Sequence, residues 1–381
     1  MAPGGRDPGH VALGTWSGGR FMHFGAPLDE ERLAALLRPG EGIDTLLTAD
    51  AYGAGDGDRL AGHAVAGLER DAFCLVGAIG HDFYEGEREG AKGFPRFTDP
   101  RLRGEGAYGD YVRAAVERSL ERCGVEAFDV LLLHNPDARG YRSEAVWEAL
   151  DAVREQGLTR RLGVAPGPAN GFTLDLIGCF ERFGALIDWA MVILNPLEPW
   201  PGELCLAAAA RHDVSVITRV VDYGGLLWDD VRPDHPFAQR DHRLFRPQGW
   251  IEAGLERLEP MRAIAARHDL TLLQLACAWN LAHPAVRCTV PTLIQEPGED
   301  ARTVEAKRAE LAGVPAHAVL SEDEVAEIRR LGDNTGSMLL KGATPDHEGD
   351  ALADRWTVSE ELAAVATRWG IDPERDLRRA A

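Results

Sequence analysis

Lysine is almost missing from this 381-residue chain: Lys92, Lys307 and Lys341 are all there is. Basic charge as a whole is in deficit, 41 Lys+Arg against 61 Asp+Glu, for a formal charge of −20. A face that displaces counterions from duplex DNA needs the opposite balance, so no nucleic-acid partner is expected, and no docking on anionic lipid. No apolar run approaches the roughly 20 residues of a membrane span. The opening MAPGGRDPGH lacks the apolar stretch of a signal peptide. Cysteines stand singly (Cys74, Cys123, Cys179, Cys205, Cys277, Cys288), and the missing C-x-x-C pair removes zinc ribbons and thioredoxin-like centres. Cys74 and Cys277 sit in the apolar runs DAFCLVG and LQLACAW, the pattern of buried reduced thiols in a cytoplasmic protein. H-E-x-x-H, P-loop and G-x-S-x-G motifs are absent.

What is there is a core. Hydrophobic residues make up 45% of the chain, enough for one large domain or two ordinary ones. Short apolar runs alternate with longer amphipathic stretches. The runs are 10–16, 42–47, 73–78, 129–134, 160–165, 189–194, 214–219 and 286–291. Most lack strict alternation, as strands covered on both faces do. Between them YVRAAVERSLERCG has apolar residues at helical spacing and a Gly stop, SEAVWEALDAVREQG starts on a Ser cap and ends in Gly, and LLQLACAWNLAH reads as a nearly buried helix. Strand–helix alternation repeated eight times predicts a (β/α)8 barrel of the TIM type, with a doubly wound open sheet as the alternative. Residues 1–335 read as one barrel domain. Residues 336–381 read as a tail, loop-like at first, then a helix capped at Thr357 and stopped at Gly370, packing over the barrel.

Reacting groups in such barrels sit at the carboxyl ends of the strands. Those ends carry Thr48, Asp50 and Tyr52, then His81 and Asp82, His134 and Asn135, Asn195 and Glu198, and Arg219, Asp222 and Tyr223. A Tyr and a His converging at one mouth can transfer protons. Trp16 ends the first strand and reads equally as pocket wall or core.

TADAYGAG, VLLLHNPD, RRLGV, YGGLL and LQLACAWNLAHPAV, in this order over residues 10–335, resemble the aldo-keto reductase family. The resemblance implies a (β/α)8 barrel that reduces carbonyls with NADPH through an Asp–Tyr–Lys–His tetrad. Tyr52 and His134 stand at the Tyr and His places. The Asp place, five residues before the Tyr, is Leu47, and the Lys place is Ala78 or Ile79. Asp44 is out of register, and Lys92 lies well into the following loop. Deprived of its Lys, Tyr52 is expected to titrate near the reference value of about 10.

The implied cofactor contacts are altered as well. Ala165–Pro166 stands for the family's Ser–Asn, Met191 for its Gln, and Arg219 for the aromatic that stacks on the nicotinamide. Val220–Val221–Asp222 stands for Ser-Pro-Leu, though Gly224 and Gly225 remain. Pro291–Thr292–Leu293–Ile294 stands for the phosphate turn. These changes lead to the expectation of a chain on this scaffold that has left redox chemistry. It would perform elimination, hydration or isomerisation on a small carbonyl or polyol with no cofactor. Tyr52 and His134 would be catalytic, and Trp16, His81, Asn135, Arg219 and Asp222 would bind substrate. The alternative is an NADP(H)-dependent reductase with rearranged cofactor contacts; a non-catalytic binding protein is the third reading. Gly53, Gly55 and Gly57 read as a turn into a helix, and Asp229, Asp230, Asp234 and His235 as a solvated acidic loop rather than a metal patch.

Overall fold

The computed structural model describes residues 5–89, 93–167, 172–246, 248–335 and 358–377. Eight parallel strands follow one another in chain order: β1 (Ala12–Gly14), β2 (Thr45–Leu47), β3 (Cys74–Ile79), β4 (Phe128–His134), β5 (Thr159–Ala165), β6 (Trp189–Ile193), β7 (Ser215–Arg219) and β8 (Val286–Val290). A parallel bridge between Val11 and Thr289 joins the first strand's edge to the last, and the Thr289 N–H donates to His10 O at 2.9 Å. The ring therefore closes, which excludes the open sheet.

The apolar runs fail to alternate in composition because each strand feeds two cores. Leu47 and Ala49, Cys74, Val76 and Ala78, Val130 and Leu132, and Ala165, Met191, Ile217, Cys288 and Val290 fill the barrel interior. Their neighbours Leu46, Leu75, Leu131, Leu133, Leu162 and Val164 face the helical layer. This two-residue period decides which groups reach the mouth. Thr48 is directed outward, bonding Asp58 in the helix Asp56–Val65 at 3.0 Å. Tyr52 packs against the interior cluster instead.

Local signals hold with two corrections. Gly124 closes the helix Tyr108–Cys123 in the left-handed conformation, φ 67°. Ser143 stands at the start of the helix Glu144–Glu155 but does not cap it; its hydroxyl donates to Glu105 at 3.2 Å. In the tail, Ser359 rather than Thr357 caps the helix Glu360–Arg368; Thr357 lies outside the described residues. That helix buries Leu362 and Val365 and ties to the helix Thr173–Phe183 through Arg368–Glu181 at 2.6 Å. Among the described residues no helix is long and apolar enough to cross a membrane.

Trp16 lies directly over Gly14. A Cβ at Gly14 would stand 2.4 Å from the Trp16 ring, well inside contact distance. Gly14→Ala is expected to force the indole aside at a cost of about 1–3 kcal/mol. A urea unfolding midpoint equal to that of the parent would contradict this contact.

Candidate active site

Four aromatic side chains run in sequence across the mouth. The Trp16 and Tyr52 rings are 6.1 Å apart between centroids, Tyr52 and His134 5.8 Å, and His134 and His81 5.4 Å, each pair edge to face. His134 arrives there because β4 places Val130 and Leu132 inward and ends two residues later. Asn135 then turns sharply, with φ 47°, its N–H donating to Ala165 O at 2.7 Å and its carbonyl accepting from Arg96 Nε at 2.7 Å. Its amide nitrogen lies 3.2 Å from His81 Nε2, while His81 Nδ1 is 2.8 Å from Phe94 O. A carbonyl only accepts and an amide NH2 only donates, so this pairing fixes His81 as the Nδ1–H tautomer.

Arg219 closes the group from β7. Its Nη2 donates to Pro166 O at 2.9 Å, and its buried Nε has no partner. The guanidinium thus spans from β7 to the end of β5, whose Ala165 is paired with His134. Trp16, Tyr52, His81, His134, Asn135 and Arg219 therefore gather at one mouth.

Burial governs the electrostatics. It holds the His134 imidazole well below its usual pKa, helped by His81, Arg219 and Arg96, so the ring is neutral at ordinary pH. Its buried Nδ1 has no partner. Tyr52 is not near its reference value, as the sequence implied; burial raises it, and the Arg219 charge works in the other direction. Burial likewise lowers Arg219 itself, while Tyr52 and Tyr141 oppose.

Several expected groups serve elsewhere. Asp222 is buried, and its Oδ1 accepts from Thr292 N at 2.8 Å, bracing the turn after β8 rather than facing substrate. Asn195 folds its own loop, accepting from Leu197 N and Glu198 N at 2.9 Å each. Asp82 pairs with Arg103. Asp44 binds Arg6 at 2.6 Å. Leu47 and Ala78 line the interior, so Ala78 rather than Ile79 holds the inward place on β3. Lys92 and Lys341 lie outside the described residues. Lys307 is buried against Asp230 and Ile294 O. The acidic loop 229–235 is paired rather than merely solvated: Asp229 binds Arg262 at 2.7 Å and His235 binds Glu296 at 2.9 Å.

Two features were not visible as such in the sequence, which showed Asp50 only as a polar group at the end of the second strand. One is the buried set Asp241–Arg243–Glu296 beside Gly224, with Arg243 Nη1 donating to Gly224 O at 3.1 Å. The other is Asp50, buried with neither carboxylate oxygen hydrogen-bonded. Burial first, then Asp58, raises Asp50 well above the carboxylate range; Arg122 opposes and Asp82 adds. Asp58 is itself pushed up to about 6 by burial, against hydrogen bonds from Ser119 and Thr48. A carboxyl with a raised folded pKa stabilises the fold below its unfolded value of about 3.9, and that contribution is lost as pH climbs through the folded value. Asp50→Asn is therefore expected to melt at a higher temperature than the parent near pH 7, with the gap closing towards pH 4. A variant that melts lower at both pH values would refute the unpartnered acid.

The model of the Aldo/keto reductase family matches residues 10–332. D-threo-aldose 1-dehydrogenase of a Pseudomonas species is 25% identical over 296 residues, covering 73% of this chain and 84% of that protein. Among solved structures, the glycerol dehydrogenase of Gluconobacter oxydans is 23% identical at a TM-score of 0.64, covering 87% of this chain and 94% of that one. An aldo/keto reductase from Klebsiella pneumoniae in complex with NADP and acetate is 22% identical at a TM-score of 0.56, covering 84% and 90%. The expectation of a cofactor-free lyase or isomerase is corrected by these findings, since the similar proteins are dehydrogenases and reductases by name and one of them is complexed with NADP. The altered residues at the mouth change a set of contacts, and that does not by itself change the reaction class. With a family match running almost from the first strand to the end of the barrel, this chain belongs to the aldo/keto reductase family.

Proposed function

We propose that the chain is an NADP(H)-dependent oxidoreductase that interconverts a small carbonyl compound and its alcohol at the barrel mouth. The observation that carries this reading is the Tyr52 ring set edge-on to the neutral His134 imidazole, 5.8 Å between centroids, inside a barrel of this family. The NADP of the Klebsiella pneumoniae structure and the dehydrogenase names of the other two relatives support it.

Residues at the family's cofactor places do not fit the dinucleotide as those contacts would hold it. Ala165 offers a methyl, Met191 has no donor, and Pro166 O is taken by Arg219. The N–H groups of Thr292 and Leu293 are engaged by Asp222 at 2.8 Å and Ser17 at 3.1 Å. Features suited to an anion persist nearby: the left-handed turn at Gly224 (φ 66°) and Gly225 (φ 98°), and Arg246, whose buried Nη1 has no partner. They support rearranged contacts.

The chain's own part is proton work. The tetrad is reduced to Tyr52 and His134, with Leu47 and Ala78 at the other two places. In the reducing direction the Tyr52 hydroxyl donates its proton to the substrate oxygen, and in the oxidising direction the phenolate takes it back. Arg219 is the cation that favours the phenolate, and neutral His134 orients the same oxygen. The barrel over 1–335 is proposed as the catalytic domain, with 336–381 as a tail on it. A cytoplasmic setting is supported by six cysteines that are all free and buried. The test is consumption of NADPH with a panel of small aldehydes and ketones, alongside direct NADPH binding. Turnover with saturable binding is expected; no binding and no turnover across the panel would overturn the reading.

A further inference from the structure

Arg219 is a cation with nothing negative to hold. Among the described residues it forms no ion pair, and the ionisable groups that act on it are two phenols, Tyr52 and Tyr141. One of its nitrogens is spent on Pro166 O, and its Nε is buried and unpartnered. Other buried arginines in this molecule are neutralised: Arg243 by Asp241 and Glu296, Arg103 by Asp82. A desolvated guanidinium without a counter-ion is costly, and a fold keeps one where an anion arrives from outside. The place is the mouth itself. β7 ends at Arg219, and the guanidinium reaches the end of β5, whose Ala165 is paired with His134.

Resting on the oxidoreductase reading above, we propose that the substrate is a small carbonyl compound bearing a carboxylate, a 2-oxo acid or its hydroxy acid. Arg219 anchors the carboxylate while Tyr52 meets the carbonyl oxygen. The planar fork of the guanidinium matches a carboxylate's two oxygens, and its free Nε supplies one of the two parallel bonds. Trp16 lies against Tyr52, 6.1 Å between ring centroids, so the surroundings of the phenol are apolar, which favours a short apolar remainder over a sugar chain. Tyr52 would give its proton to the carbonyl oxygen of such a substrate and the carboxylate would be unchanged, while the two electrons and the carbon-bound hydrogen are what NADPH would supply.

The test compares pyruvate with methyl pyruvate, which share a carbon skeleton and differ in charge. Calorimetric binding and NADPH-coupled turnover are both measured, on the parent, Arg219→Met and Arg219→Lys. The parent is expected to bind pyruvate more tightly than the ester, and Arg219→Met to lose about 100-fold in pyruvate affinity with ester affinity little changed, while turnover of both compounds falls by the share that Arg219 lends to Tyr52. Arg219→Lys is expected to recover part of the loss, which a purely structural role for the residue would not allow. Equal losses of affinity for both compounds, or a parent that binds the ester as tightly as the acid, would overturn the proposal even if neutral aldehydes are turned over. Arginine-dependent binding of pyruvate without any NADPH turnover would instead sink the oxidoreductase reading and leave the carboxylate site standing.

Discussion

Arg243→Met is expected to destabilise the fold by about 3–5 kcal/mol. The arginine side chain and Asp241 are fully buried, and Glu296 is 2% exposed. Asp241 accepts from Nε at 2.9 Å and from Nη2 at 2.8 Å, while Glu296 accepts from Nη1 at 2.6 Å and Nη2 at 2.9 Å. Burial alone would raise the Asp241 carboxyl, but the Arg243 bonds outweigh it and hold the group below its ordinary value. Methionine fills much of the same volume and leaves two carboxylates without a cation. His235 at 2.9 Å from Glu296 offers only a weak substitute. Urea unfolding of the parent, Arg243→Met and the double variant with Glu296→Gln measures this. The double variant should cost less than the sum of the singles, because the second change removes one stranded charge. A loss below about 1 kcal/mol in Arg243→Met would mean that the network contributes little.

Tyr52→Phe is expected to lower kcat/KM by about 10²–10⁴-fold, the range that a positioned acid–base group contributes. The fold should hardly notice. Burial and the Arg219 charge are what act on the phenol, with no hydrogen bond to it among the described residues, so phenylalanine strands nothing, and the unfolding midpoint should stay within about 0.5 kcal/mol of the parent. The edge-on contact with His134 survives the change, which separates proton transfer from packing. Turnover in Tyr52→Phe close to that of the parent would remove the tyrosine from the chemistry.

The barrel was legible because its strands are apolar on both sides. Runs such as DVLLLH have few other uses in a chain of this length, and the eight of them fall within a few residues of β1 to β8. The mouth was legible in part. His134 and Tyr52 follow directly from strand ends, and local order suffices to place them. Which way a polar residue turns was harder. Thr48 and Tyr52 both look like mouth residues in sequence, yet the two-residue period of β2 sends Thr48 to the helices, with Asp50 buried in a cluster with Asp58 and Arg122. Asp222 misled for a different reason. Its partner is the backbone N–H of Thr292, seventy residues on, and a backbone group leaves no mark on the sequence. The pairing of Arg243 with Glu296 across 53 residues is hidden in the same manner. The reaction class is not legible in a handful of altered contacts such as Ala165, Met191 and Arg219, because kinship runs along the whole barrel, residues 10–332.

The six thiols have a practical consequence. Cys74 and Cys288 are sealed in the interior, while Cys123, Cys179, Cys205 and Cys277 lie under the helices, all free and all buried. Burial raises every one of them away from the thiolate, Cys205 and Cys277 to about 12. Since only the thiolate attacks an alkylating reagent, the native molecule should stay unlabelled in iodoacetamide until it opens. The chain thus carries its own stopwatch for unfolding, with marks distributed from the first third of the sequence to the last strand, and mass spectrometry can read which part of the barrel lets go first.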